Sequence, residues 1–128
     1  SLSKGLVDIG VLDCYIEEAI GKNYDGRVRE FFMHGTSHSI GLDVHDVGVI
    51  KPNGDDDGRL LEPGMVLTVE PGLYFPKWVE TLNIDPKFAG IGIRIEDDVL
   101  ITDGDPEVLT ASCPKTVVDI ENTVGKDV

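Results

Sequence analysis

The chain has 128 residues, of which 41% are hydrophobic and 27% charged, so it is expected to form one folded domain. Its 24 acidic and 11 basic residues give a net charge of −13, which disfavours nucleic acids and anionic membranes as partners. No apolar run is long enough for a transmembrane helix, and residues 1–20 lack the features of a signal peptide, so a cytoplasmic location is expected. Cys14 and Cys113 lie in no CxxC pattern and are expected to be free thiols.

Helical patterns open the chain. Apolar residues at helical spacing begin it, and Gly10 ends that pattern. Because no capping residue precedes the pattern and no Met begins it, residue 1 is not expected to be a natural start. A second helix is predicted over Cys14–Ile20, capped by Asp13 and ended by Gly21, with one or two further helical turns within 25–32.

Strands and a closing helix are predicted for the rest of the chain. Glycine and proline separate five strand-like stretches, at 43–50, 65–70, 73–76, 91–102 and 107–110. They are expected to form a mostly antiparallel sheet. Thr116 is expected to cap a last helix that continues to Val124 and is followed by Gly125. Four of its residues share one face: Val117, Ile120, Glu121 and Val124.

All three histidines lie close together in the sequence, as His34, His38 and His45. Such a cluster suggests proton transfer, metal binding or both, because imidazole titrates near neutrality and is the commonest protein metal ligand. The glycines and β-branched residues around it favour a loop that passes into a strand. The zincin helix motif is excluded, because Gly35 occupies the position of its glutamate.

The acidic residues between 53 and 62 are assigned to loops and turns and not to a functional site. Residues 53–58 resemble the start of a calcium-binding loop, but the twelfth position is Gly64, where an EF-hand needs a bidentate glutamate. Glu62, in the first of two Glu-Pro-Gly sequences, follows a polar loop and is assigned to turn geometry.

Glu70 and Glu96 are embedded in strand-like apolar runs, where a charge is costly unless a cation compensates it. Alternation puts Glu96 on a face with Arg94, opposite a face of isoleucines that is expected to be core, and puts Glu70 opposite Met65, Leu67 and Val69. If the two polar faces adjoin near an imidazole, one nitrogen and two carboxylates suit Mn²⁺, Co²⁺, Fe²⁺ or Zn²⁺. A turn glutamate, a solvent-facing histidine and an Arg94–Glu96 pair remain as structural alternatives.

Three stretches carry a family resemblance: HGTSHSIGLDVHDVG, LEPGMVLTVEPGLY and GIGIRIEDDVLIT. Together and in this order they resemble the pita-bread metallopeptidases, most closely the bacterial Xaa-Pro aminopeptidases, with the prolidases next. The resemblance implies an α+β fold in which residues 1–128 are the C-terminal half of the catalytic domain. That half would have a curved, mostly antiparallel sheet with helices on one face.

The resemblance also implies a two-metal hydrolase, with Mn²⁺ first among the ions, that acts on proline-containing peptides. His38, Glu70 and Glu96 would be metal ligands, with Glu96 bridging the ions and Glu70 also moving a proton. His34 and His45 would line the substrate site, His45 stabilising the tetrahedral intermediate. Arg94 would contact the ligands without binding metal itself.

In the family, two further metal ligands are aspartates from the preceding half of the fold. This chain does not contain them, and that is its main departure from the family. The chain is therefore expected to need that missing N-terminal half, to be inactive alone, and to form homo-oligomers through its uncovered apolar surface. Ser39 is a smaller departure, since an aromatic residue often follows the ligand histidine. A non-catalytic interaction or structural domain, a prolidase and a metal-free creatinase-like hydrolase are the alternatives.

Overall fold

The structure, a computed structural model, describes residues 2–48, 58–82 and 84–125. Its α-helices are α1 (Leu2–Asp8), α2 (Ile16–Ile20) and α3 (Val117–Thr123), and its 3-10 helices are Arg27–Glu30, Lys77–Leu82 and Pro86–Phe88. Its strands are β1 (Ser39–Ile40), β2 (Val66–Val69), β3 (Gly72–Tyr74), β4 (Gly92–Arg94), β5 (Asp97–Leu100) and β6 (Glu107–Val108). Every strand pairing among these elements is antiparallel, so the expected α+β class and strand orientation are confirmed.

The chain divides into two compact units. Unit 1 consists of Ser1–Gly35 and Pro71–Arg94, and unit 2 of Thr36–Glu70 and Ile95–Val128. Unit 1 contains α1, α2 and a two-stranded sheet, β3–β4. Unit 2 contains α3 and a four-stranded sheet in the order β1-β2-β5-β6.

Every buried apolar side chain among the described residues lies in unit 1. They are Leu6, Val11, Leu12, Ala19, Val28, Phe31, Phe32, Phe75 and Ile84. The ring of Phe75 packs against those of Phe31 and Phe88, with centroids 5.2 and 5.3 Å away. These aromatic contacts join the helical part of unit 1 to the residues that follow β3.

The second helix starts later than predicted. It begins at Ile16 after an extended Tyr15 that makes no side-chain capping bond, so the assignment of Asp13 as its cap is wrong. The chain before it is held in a different way, because the backbone N–H groups of Val11 and Leu12 both donate to the carbonyl of Leu6. The helix ends at Gly21 as predicted, with φ at 75°, a conformation that favours glycine.

The strand predicted at 43–50 is not formed in its described part. Residues 41–48 instead make a loop closed on itself, in which Gly41 N–H donates to Asp43 O and Asp46 N–H to Ser39 O, both at 3.1 Å. Local turn bonds thus replace sheet pairing after the short β1. Residues 49–57, which include most of the excluded calcium-loop sequence, lie outside the described residues.

The strand predicted at 91–102 is interrupted. β4 pairs with β3, whereas β5 pairs with β2 and β6, so the two halves of the predicted strand belong to different sheets. Ile95 and Glu96 separate β4 from β5. Ile91, Ile93 and Ile95 are 41%, 63% and 46% exposed, so the prediction that they form a core face is wrong. Alternation identifies two faces of a strand, but which face is covered depends on what packs there.

The apolar and polar faces of β2 are also exchanged relative to expectation. Thr68 and Glu70 are buried, whereas Val69 on the opposite face is 48% exposed. The predicted cap of α3 is confirmed, because the Thr116 hydroxyl accepts the backbone N–H of Asp119, but Val117, Ile120 and Val124 are exposed. Glu62 lies in a turn, as predicted, with its carbonyl accepting the N–H of Met65.

Candidate metal centre

Glu70 and Glu96 meet because of the register between β2 and β5. The last backbone pair of the two strands is Val69 with Asp97. Glu70 follows Val69 and Glu96 precedes Asp97, so antiparallel geometry sets the two glutamates opposite each other beyond the end of the ladder. Alternation puts them on the same face as Thr68.

His38 is held beside these residues by the segment that leads into β1. Its backbone N–H donates to Thr68 Oγ1 at 2.9 Å, and its carbonyl accepts the N–H of Thr68 at 3.0 Å. The N–H of Glu70 donates to the carbonyl of Thr36 at 2.8 Å, so the two segments run together up to the glutamate. His38 Nδ1 lies 3.1 Å from the carbonyl oxygen of Ser39, which assigns a proton to Nδ1 and leaves Nε2, on the side of Glu70, as the nitrogen that could bind a metal.

The three side chains form one cluster. One ligand atom from each of His38, Glu70 and Glu96 lies within 4.8 Å of the others, and His38 Nε2 is 3.5 Å from Glu70 Oε1. No other group of this kind occurs in the part of the chain that the structure describes. Glu70 is 8% exposed, and a carboxylate with so little water next to a second carboxylate favours a bound cation. One imidazole nitrogen and two carboxylate oxygens therefore fit a divalent ion.

The cluster is partly buried: Glu70 is buried, His38 is half-buried and Glu96 is exposed. Thr68 and Glu70 are the only residues of this unit that are buried in the described ranges. Thr68 is not among the site residues predicted from the sequence, although its position two residues before Glu70 in the predicted strand 65–70 was a usable signal. Its hydroxyl lies 3.3 Å from Glu70 Oε1.

His45 also lies at the cluster. Its ring meets the ring of His38 edge to face, with centroids 4.4 Å apart and an interplanar angle of 87°. The self-closed loop of 41–48 carries it there and leaves it exposed. An exposed imidazole next to the candidate ligands is available to a substrate.

His34 and Arg94 belong to unit 1. His34 Nδ1 is 2.6 Å from the carbonyl oxygen of Gly35, and its Nε2 is 3.0 Å from the hydroxyl of Tyr74. In the neutral ring, the proton on Nδ1 leaves Nε2 to accept from Tyr74, a partner that the sequence analysis missed. Arg94 ends β4, where it pairs with Gly72.

The start of β5, next to Glu96, is braced by a polar group that the sequence analysis also missed. Asp97 Oδ1 accepts from the hydroxyl of Thr110 at 2.6 Å and from Lys115 Nζ at 2.9 Å. The Thr110 hydroxyl and the Lys115 ammonium hold the pKa of Asp97 below its ordinary value. Lys115 also donates to the carbonyl of Thr110 at 2.7 Å, so Asp97 of β5, Thr110 and Lys115 are held together.

Two expectations from composition can be compared with the described residues. Both cysteines are free, as predicted. None of the described helices combines the length and apolar character needed to cross a bilayer.

The fold and the cluster together define the class of this protein: an α+β protein with a histidine and two glutamates gathered at the end of an antiparallel sheet. The chain belongs to metallopeptidase family M24, whose profile matches residues 4–103.

Relatives agree with this assignment. The Xaa-Pro aminopeptidase of Escherichia coli strain K12 is 53% identical over 117 residues, which are 91% of this chain and 24% of that protein. A structure of E. coli aminopeptidase P with the inhibitor Pro-Leu superposes with a TM-score of 0.80 at 51% identity, over 94% of this chain and 26% of the other. A zinc-substituted form of that protein with product matches equally well. The fold is therefore part of the pita-bread fold, and the chain spans about a quarter of the length of these relatives.

Proposed function

We propose that this chain supplies a histidine and two glutamates to the metal centre of an Xaa-Pro aminopeptidase, an exopeptidase that removes the residue before a proline in second position. The observation that carries the proposal is the convergence of His38, Glu70 and Glu96 within 4.8 Å. The activity named for its relatives supports the substrate class, a peptide with proline in second position.

The proposed cofactor is a divalent metal, with two ions in the complete site. Mn²⁺ is the preferred ion because the donor set is rich in hard oxygen ligands, and Zn²⁺, Co²⁺ and Fe²⁺ are alternatives. The E. coli relative in its zinc-substituted form supports zinc as one of these. When bound, such ions polarise the scissile carbonyl and make water a nucleophile near neutral pH.

The chain's own residues would orient the substrate and move protons. The buried carboxylate of Glu70 is proposed to hold metal and to carry a proton from water to the leaving amine. His45, exposed beside His38, is proposed to donate a hydrogen bond to the oxyanion of the tetrahedral intermediate. His34 is proposed to contact substrate, with its ring held by Tyr74, and Arg94 to orient the ligands.

The ligand set on this chain is incomplete for two ions. Glu96 would contribute its carboxylate to both, and two aspartates from a preceding half of the catalytic domain would complete the site. We therefore propose that residues 1–128 are the C-terminal half of that domain and are inactive alone. The lack of a buried apolar side chain in the described part of unit 2 supports a partner that covers it, or self-association in its absence.

The direct test uses the natural polypeptide that carries residues 1–128, stripped of metal and reloaded with Mn²⁺. We expect it to release the first amino acid from a tripeptide with proline second, and not from a matched peptide with alanine second. His38→Ala and Glu96→Gln should abolish this turnover. Turnover that survives metal removal or the His38→Ala substitution would contradict the proposal.

The same assay separates the alternative functions. A prolidase would cleave an Xaa-Pro dipeptide in preference to the tripeptide. A non-catalytic domain would turn over neither substrate even with metal bound. We also propose a cytoplasmic location, which the two free cysteines support and which cell fractionation would test.

A further inference from the structure

Thr68 lies between two of the candidate metal ligands and contacts both. It is 1% exposed and lies in β2, opposite Asp98 of β5. Its backbone N–H donates to the carbonyl of His38, and its hydroxyl lies 2.9 Å from the backbone nitrogen of His38 and 3.3 Å from Glu70 Oε1. One side chain therefore links the backbone of one ligand to the carboxylate of another.

The direction of these bonds follows from counting protons. A backbone N–H can only donate, so the Thr68 oxygen must accept from His38. A carboxylate can only accept, so the one hydroxyl proton of Thr68 points to Glu70 Oε1. The β-branched side chain has few rotamers, which keeps the hydroxyl between its two partners.

We propose that Thr68 is a positioning residue of the metal centre, which fixes the backbone of His38 and selects the orientation of the Glu70 carboxylate. The inference rests on the proposed metal site but adds a residue that supplies no ligand atom. Outer contacts of this kind typically change metal affinity by about 10–100-fold when they are lost. The ordinary alternative is that Thr68 only fills a buried space in the sheet.

Three substitutions in the natural polypeptide that carries residues 1–128 separate these roles. Thr68→Val keeps the shape and removes the hydroxyl. Thr68→Ser keeps the hydroxyl and removes the methyl group. Thr116→Val is the matched control, because it removes a threonine hydroxyl that accepts a backbone N–H from Asp119 at the start of α3, outside the cluster.

The first readout is Mn²⁺ affinity, measured by calorimetry, together with the visible absorption spectrum of the Co²⁺-loaded protein. We expect Thr68→Val to weaken Mn²⁺ binding by about 10–100-fold and to change the Co²⁺ spectrum. Thr68→Ser should restore both to near their original values, and Thr116→Val should change neither. The second readout needs no metal: hydrogen exchange of the His38 amide should be faster in Thr68→Val than in Thr68→Ser.

The outcomes are distinct. Unchanged Mn²⁺ affinity in Thr68→Val, or an equal loss in Thr68→Ser, would overturn the positioning role while leaving the metal site in place. If Thr68→Val does not fold, Thr68→Ala takes its place. Normal Mn²⁺ binding by both Thr68→Ser and a folded Thr68→Ala protein would then also overturn the positioning role. If the unsubstituted protein binds no Mn²⁺, the proposed function and this inference both fail.

Discussion

Glu70 and Glu96 stand opposite each other one residue beyond the last backbone pair of β2 and β5, with ligand oxygens within 4.8 Å. Two carboxylates at this distance repel each other unless a cation lies between them. Glu96→Gln should therefore have effects of opposite sign with and without metal. It should leave the metal-free protein as stable or more stable, and it should reduce the stabilisation by Mn²⁺.

The measurement is thermal unfolding with and without Mn²⁺. Mn²⁺ at 100 times its Kd should raise the free energy of unfolding of the unsubstituted protein by about 2.7 kcal/mol, so a weakened site is readily seen. Glu62→Gln is the control, because this exposed glutamate lies in a turn. Equal stabilisation of the unsubstituted protein, Glu96→Gln and Glu62→Gln by Mn²⁺ would show that Glu96 is not a metal ligand.

His38 and His45 touch each other but are expected to fail differently when replaced. His38→Ala should first lose metal, because it removes a ligand nitrogen. His45→Ala should keep metal and lower kcat by roughly 10²–10³-fold, the usual loss for one oxyanion donor. Elemental analysis beside steady-state kinetics tests this, and equal metal loss in both variants would show that the roles are wrongly assigned.

The chain of 128 residues by itself should show no Xaa-Pro peptidase activity, because two proposed ligands are absent from it. Its exposed apolar residues, such as Ile93 and Val117 at 63% and 73% exposure, should make it self-associate. The experiment is a tripeptide assay with added Mn²⁺ on the fractions of a sizing column. Clear turnover in a monomer peak would contradict the proposal that the chain is half of a catalytic domain.

Two glycine-to-alanine substitutions in unit 1 should change stability in opposite directions. At Gly21 the positive φ and a Cβ position 2.3 Å from the backbone nitrogen of Gly26 should make alanine destabilising, by about 1–2 kcal/mol or more. At Gly5, inside α1 with open space around a new Cβ, alanine should stabilise by roughly 0.5–1 kcal/mol. Urea unfolding measures both, and a stabilising Gly21→Ala would contradict the close approach at this turn.

The sequence by itself determined the features that depend on near neighbours. Gly21 ends α2 and Thr116 caps α3, because a positive φ and a capping hydroxyl are local properties. The three ordered motifs also identified the family, and with it the candidate ligands His38, Glu70 and Glu96.

Only the tertiary structure decided which faces are covered and where pairing stops. Ile91, Ile93 and Ile95, in and beside β4, alternate as a core face would, yet they are exposed, while Thr68 on β2 and Glu70 just after it are buried. The register that brings Glu70 opposite Glu96, and the hydroxyl of Thr68 between two candidate ligands, depend on contacts between segments about 30 residues apart in the chain. Such long-range pairing is set by packing, which local propensity does not encode.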